Sequence, residues 1–274
     1  MTDKNKLILK RIIAIFVSFI LAFALACLGL CGTAKLISSP DFVQNIINKT
    51  NYIGYAEEEI KEGLCDLAIP SGLPADFFSD KISSDTVSKL VMATVTKEFS
   101  HNGTAVDTAF LKEDFKKEIT LWADENFVSI DDATTSAITL LTDECYQVVL
   151  RYANPEIFRY LGRLTVALSK VSLLGIIFTL FLCAFGLFFL SRLCEKKRFF
   201  FFVFVSFCSG GLLIGLIPLI LLATNKISSI AILSKSLYAF ICGFANSALT
   251  LLVLFGILFI LISIIFVFFE KNQK

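Results

Sequence analysis

Four stretches of this 274-residue chain contain no Asp, Glu, Lys, Arg or His: 12–34, 171–191, 199–223 and 237–269. A helix needs about 20 apolar residues to cross the roughly 30 Å hydrocarbon core of a bilayer, and each stretch reaches that length. Lipid offers no partner to a backbone amide, so a spanning segment must close its own hydrogen bonds and is helical. Composition agrees. Hydrophobic residues make up 56% of the chain and charged residues 18%, against roughly 45–50% and 25% in soluble domains. The expected fold is an all-α integral membrane protein with four transmembrane helices. The 237–269 run is long enough to include an interfacial turn or a tilted end.

Lys and Arg collect in short cytoplasmic loops, and this sets the expected orientation. Lys4, Lys6, Lys10 and Arg11 precede the first span. Arg192, Lys196, Lys197 and Arg198 fill the short 192–198 loop, and Lys271 and Lys274 follow the last span. The 1–11 segment, the 192–198 loop and the 270–274 tail are therefore expected in the cytoplasm. The 35–170 segment and the 224–236 loop are expected outside a plasma (cytoplasmic) membrane. Arg151, Arg159, Arg163 and Lys170 run against this pattern, but long translocated domains largely escape it. Residues 33–170 carry 21 acidic and 13 basic residues, net −8, while the whole chain is +1. Basic flanks suit an anionic inner leaflet. With no basic surplus, nucleic-acid binding is excluded. Ala24-Leu25-Ala26 before Cys27 has the form of a cleavage site. The apolar run continues to Ala34, however, so an uncleaved anchor is expected.

The 35–170 segment is expected to be a helical extracytoplasmic bundle inserted between the first and second spans. Ser39-Pro40-Asp41 is a helix start, with a capping Ser, Pro at the first helical position and an acid in the first turn. Phe42, Val43, Ile46 and Ile47 follow at helical spacing. Ile53, Ala56, Ile60, Leu64 and Leu67 continue an apolar face, with Gly54 a candidate break and Glu57, Glu58, Glu59 and Glu62 mostly on the solvated side. A third helix runs from about Asp85, capped by Ser84 and closed by His101-Asn102-Gly103. A fourth covers about 109–126, with Leu111, Phe115, Ile119 and Trp122 on one stripe. A fifth starts near Asp131. Asn154-Pro155-Glu156 restarts a helix expected to run unbroken into the second span. No stretch alternates strictly over five residues, so strands are not expected. About 130 residues are enough to bury a core.

Chemistry-bearing motifs are few. His101 is the one histidine. It has no HExxH, CxxC or His cluster around it, so neither a metal nor another cofactor is expected. No Gly-rich phosphate loop follows a strand, and no nucleophile can be assembled with a base and an orienter. Catalysis is not expected. Cys65 and Cys145 are a candidate disulfide that would close an 81-residue loop, worth about 4.5 kcal/mol in a chain-entropy treatment. The other six cysteines lie in or beside the spans as small packing residues.

Inside the spans, Gly211 and Gly215 form a GxxxG followed by Pro218, and Gly243 and Ser247 flank Asn246. These are candidates for close helix packing, with Asn246 bonding across helices. Arg192, Lys196, Lys197 and Arg198 beside Phe199–Phe202 are expected to anchor the membrane boundary. Ion-coupled transporters usually carry charges inside their spans, and here there are none. Abundant Lys, Ile, Phe and Asn suggest an AT-rich bacterial genome. The expected role is display of an acidic helical domain for partner binding, scaffolding or sensing. The lipid bilayer and a membrane or extracytoplasmic protein, or a second copy, are the expected partners. An accessory subunit of a transport or export system and an envelope enzyme with a carboxylate site are the alternatives.

Overall fold

Ser39 accepts a hydrogen bond from the Phe42 amide, and Pro40 opens the helix behind it. The same local rule recurs along the chain. In a computed structural model, which describes residues 3–79, 81–100 and 108–271, the described chain is all-helical without strands. The helices are α1 (Asp3–Ile37), α2 (Pro40–Lys49), α3 (Tyr52–Ala68), α4 (Ser84–Phe99), α5 (Ala109–Glu125), α6 (Asp132–Ala153), α7 (Glu156–Leu193), α8 (Lys196–Ala223) and α9 (Lys235–Lys271). Four of them, α1, α7, α8 and α9, are long and apolar enough to cross a membrane. The His101-Asn102-Gly103 turn lies outside the described residues, as do the side chains of Lys4, Lys6, Lys271 and Lys274.

Two local expectations are corrected. The break between α2 and α3 falls at Asn51, not Gly54. Asn51 takes φ +54°, a left-handed conformation that Asn tolerates better than most residues. Gly54 lies inside α3, where an added Cβ would meet the Asn51 side chain. The cap of α4 is Ser83, whose hydroxyl accepts from the Thr86 amide, and Ser84 is the first helical residue.

Contacts divide the chain into two compact units. The first contains 1–38, 167–230 and 244–274. Its buried centre includes Ala14, Leu21 and Leu25 of α1, Leu190 of α7, Ile214 of α8 and Phe259 of α9. On α1 and α8, Ser18 and Ser206 share a hydrogen bond of 2.7 Å. Ser206 also donates to the Ser18 carbonyl at 3.0 Å. Gly211 and Gly215 do pack closely, and their counterpart is Gly256 of α9. A Cβ on Gly211 would stand 2.6 Å from the Gly256 carbonyl oxygen, and one on Gly215 would stand 3.4 Å from the Gly256 Cα. Small residues let backbones approach where lipid supplies no hydrophobic drive.

The second unit contains 39–166 and 231–243. It comprises α2 to α6, the first turns of α7 and the start of α9. Val43, Ile47, Ile60, Leu64, Val87, Val91, Val95 and Val149 are fully or nearly fully enclosed. Phe78, in the turns after α3, packs edge-on against Phe115. A second aromatic group joins Tyr52 of α3, Phe158 of α7 and Phe240 of α9, with ring centroids 4.9–6.1 Å apart. Offset and edge-on pairs of this kind add to the area they bury.

Candidate functional site

The most unusual side chain of the second unit is Glu59, which retains 8% of its surface. The helical spacing of α3 explains its direction. Tyr52, Ala56, Glu59, Ile60 and Leu64 share the buried face, so Glu59 falls on the apolar stripe and not on the solvated one expected from its acidic run. Glu58 faces outward and Glu57 is half-buried. Glu57 pairs with Lys61 at 2.7 Å and Glu58 with Lys235 at 3.2 Å. The Glu58 carboxylate raises the Lys235 ammonium above its ordinary value by hydrogen bond and by charge.

A buried carboxylate is tolerable only when its oxygens are satisfied. Oε1 of Glu59 accepts the Lys235 amide at 2.6 Å. Oε2 accepts the Ser234 hydroxyl at 3.0 Å and the Ser236 amide at 3.3 Å, and the Ser236 hydroxyl donates to the same oxygen. Ser234 in turn accepts the Leu237 amide at 3.2 Å, which makes it the cap of α9. The first amides of α9 have no partner within the helix. Negative charge is favoured at that end of the helix dipole. Glu59 supplies both the partner and the charge.

Tyr52 of the aromatic group stands beside the Glu59 seat. The Tyr52 hydroxyl donates to the Tyr152 carbonyl at 2.7 Å. Burial, and then the Glu59 charge, push the Tyr52 phenol well above its ordinary range. On the next turns of α9, Gly243 lets the helix approach α2, because a Cβ there would collide with Thr50 and stand 3.3 Å from Ile46 Cγ2. Gly243 thus packs the start of α9 closely against α2 within the second unit. Asn246 and Ser247 lie half-buried further along α9.

Both Glu59 oxygens accept hydrogen bonds from the start of α9, so the group holds that helix end in place. A groove of about 630 Å³ is lined by Glu98, Gln147, Arg151, Asn154, Glu156 and Arg159 together with Leu237. Its charges are of both signs. Arg159 is paired with Glu156 at 3.1 Å, and Glu98 with Lys97 at 3.6 Å. Among the described residues no three His, Cys, Asp or Glu side chains are placed to hold a metal.

The candidate disulfide is not formed, because Cys65 and Cys145 are both free thiols. The reason lies in the face each occupies. Gly63 faces α6, where its Cβ would stand 2.8 Å from Val148 Cγ1. Cys65 follows two residues later, roughly 200° around the helix. It lines a surface groove with Lys61, Asp66 and Asp76. Cys145, three residues before Val148, is fully enclosed. Its thiol is pushed up to about 12 by burial and by Glu144. In the first unit, Arg192, Lys196, Lys197 and Arg198 are all exposed, and Arg192 lies 5.4 Å over the Phe188 ring. Comparison with known protein families, curated proteins and solved structures gives no match.

Proposed function

We propose that this chain is a multi-pass membrane protein whose acidic helical unit, displayed outside the cytoplasm, binds a partner without itself performing catalysis. The carrying observation is how the unit is completed. Its aromatic group takes Phe158 from α7 and Phe240 from α9, and its buried carboxylate caps α9. A domain that folds around the entrances of two crossing-length helices is suited to hold them or to pass on what it binds. The seat also agrees with a four-span arrangement. In a four-span chain, the segment between spans one and two shares a side with the loop between spans three and four. Glu59 and Ser234–Ser236 belong to those two segments.

Two measurements on the full chain test this reading. In intact cells, a membrane-impermeant maleimide should label Ser136→Cys and leave Lys197→Cys unlabelled. The reverse pattern would place the acidic unit in the cytoplasm and overturn the reading. Cross-linking before detergent extraction should recover the chain with a protein partner or a second copy. Recovery of the monomer alone would also overturn it.

A further inference from the structure

The connection between α5 and α6 does several things that folding alone disfavours. Helix α5 ends in a paired-bond cap. The Val128 amide donates to the Ala123 carbonyl at 2.9 Å and the Phe127 amide to the Asp124 carbonyl at 3.2 Å. This cap requires a left-handed residue, usually Gly, just past the helix end. Here the position is held by Phe127, at φ +57°. For a bulky side chain that conformation is strained. Phe127 gains nothing from it in packing, because its ring is 95% exposed. Val128 and Ile130 beside it are also exposed, at 40% and 45%.

The charges around this tip are equally one-sided. Residues 119–150 contain six carboxylates and no Lys, Arg or His; Asp143, on the later turns of α6, is paired with Lys112 at 2.6 Å, and the four nearest the tip are Asp124, Glu125, Asp131 and Asp132. Asp124 and Glu125 lie in the last turn of α5, the end of a helix that repels anions. Asp131 and Asp132 follow at the start of α6. Beside the tip is a cleft of about 220 Å³, lined by Leu73, Ile119, Trp122, Val128, Ile138 and Leu141. Strain, an exposed ring and two carboxylates at the disfavoured end of α5 coincide within four residues, 124–127. Local rules tend to fail together where function holds them.

We propose that the α5–α6 tip is the docking surface of the helical unit. It takes a cationic amphipathic helix of a partner protein, with Phe127 and the Trp122 cleft receiving its apolar side chains and the surrounding carboxylates its Lys and Arg. This deepens the partner-binding reading and rests on it. Charge selects the occupant. A second copy would set carboxylates against carboxylates, and an anionic lipid surface would be repelled in the same way. A basic helix with an apolar stripe satisfies both halves of the surface.

Trp122 is the one tryptophan in the chain, so the cleft carries its own probe. The full chain, in phosphatidylcholine nanodiscs, is titrated with a Trp-free synthetic Leu–Lys amphipathic helix and with its Leu–Glu counterpart. The Leu–Lys helix should shift Trp122 emission to the blue, saturably and less strongly at high salt, while the Leu–Glu helix should not. Phe127→Gly should weaken that binding about tenfold or more without lowering the melting temperature, because the substitution suits the left-handed cap. A structural role for Phe127 would instead lower the melt. The proposal is overturned by no shift with Leu–Lys, an equal shift with Leu–Glu, undiminished binding by Phe127→Gly, or a Trp122 shift on phosphatidylcholine vesicles alone, which would make the tip a membrane contact. If these arms fail while cross-linking still recovers a partner, this surface is wrong and the partner-binding reading survives.

Discussion

Glu59 and Phe127 both depart from the sorting of apolar groups inward and charges outward, in opposite directions. Glu59 is a buried charge with four donors on its two oxygens. Phe127 is an exposed ring on a strained backbone. The difference lies in whether the surroundings compensate. Around Glu59 every favourable partner is already present, so the residue belongs to the architecture. Around the Phe127 ring the described residues supply almost no cover, so the side chain calls for a partner outside the chain.

Substitution at Glu59 should give the largest effect. Glu59→Ala leaves the Lys235 and Ser236 amides and two serine hydroxyls without their acceptor in a closed site. A loss of about 3–5 kcal/mol is expected, read from the thermal melt of the detergent-solubilised chain. Hydrogen exchange should accelerate first at Lys235 and Ser236, because local opening follows the weakest contacts. An unchanged melt would show that the seat is incidental. Ser236→Ala removes one donor to the carboxylate from a fully buried position. It should cost about 1.5 kcal/mol and produce a milder form of the same exchange pattern.

How much of each region was legible in the sequence follows from the range of the interaction that shapes it. Helix starts are local. Ser39 could be read as a cap and Asp131 as a helix start because in each the donor lies three residues away. At Ser83-Ser84 two identical residues competed, and the choice depended on a backbone angle. The four spans were legible because lipid tests every residue of a helix alike. The inward direction of Glu59 could have been found, since positions 52, 56, 59 and 60 share one helical face. Its partner could not, because Ser234 is 175 residues away. Gly256 was missed for a similar reason. It is a single small residue with no partner four positions along its own helix, and its match at Gly211 lies across the interface. Phe127 was missed because a left-handed cap is ordinarily announced by Gly or Asn, and no pattern announces Phe.

Phe127→Gly should have the opposite sign to that expected at Glu59. Glycine removes the left-handed strain, while its greater freedom in the unfolded chain opposes part of that gain. A net rise of about 0.5–1 kcal/mol is expected. Removing the ring leaves no cavity, since almost none of it is enclosed. A fall in stability after this substitution would mean that the ring is covered in the folded protein, and the contrast with Glu59 would disappear.

The smallest effect is expected four residues further on, at Asp131, and it separates the tip's local scaffold from its docking chemistry. The Asp131 carboxylate accepts the Thr134 amide at 2.8 Å as the cap of α6. That hydrogen bond, first among the causes, lowers its titration below the ordinary value of 3.8. A depressed folded value makes the ionised form the stabilising one. Its contribution is present above the unfolded value and is lost as pH falls through the lowered folded value. Asp131→Asn keeps a capping oxygen and abolishes the titration. The wild-type and Asp131→Asn melts should therefore differ more near neutral pH than in acid well below the lowered folded value, where both caps are uncharged. A constant difference across that range would show that the Asp131 charge contributes nothing to α6. The acidity of the tip would then have no structural use at that position, and its remaining use would be toward a cationic partner.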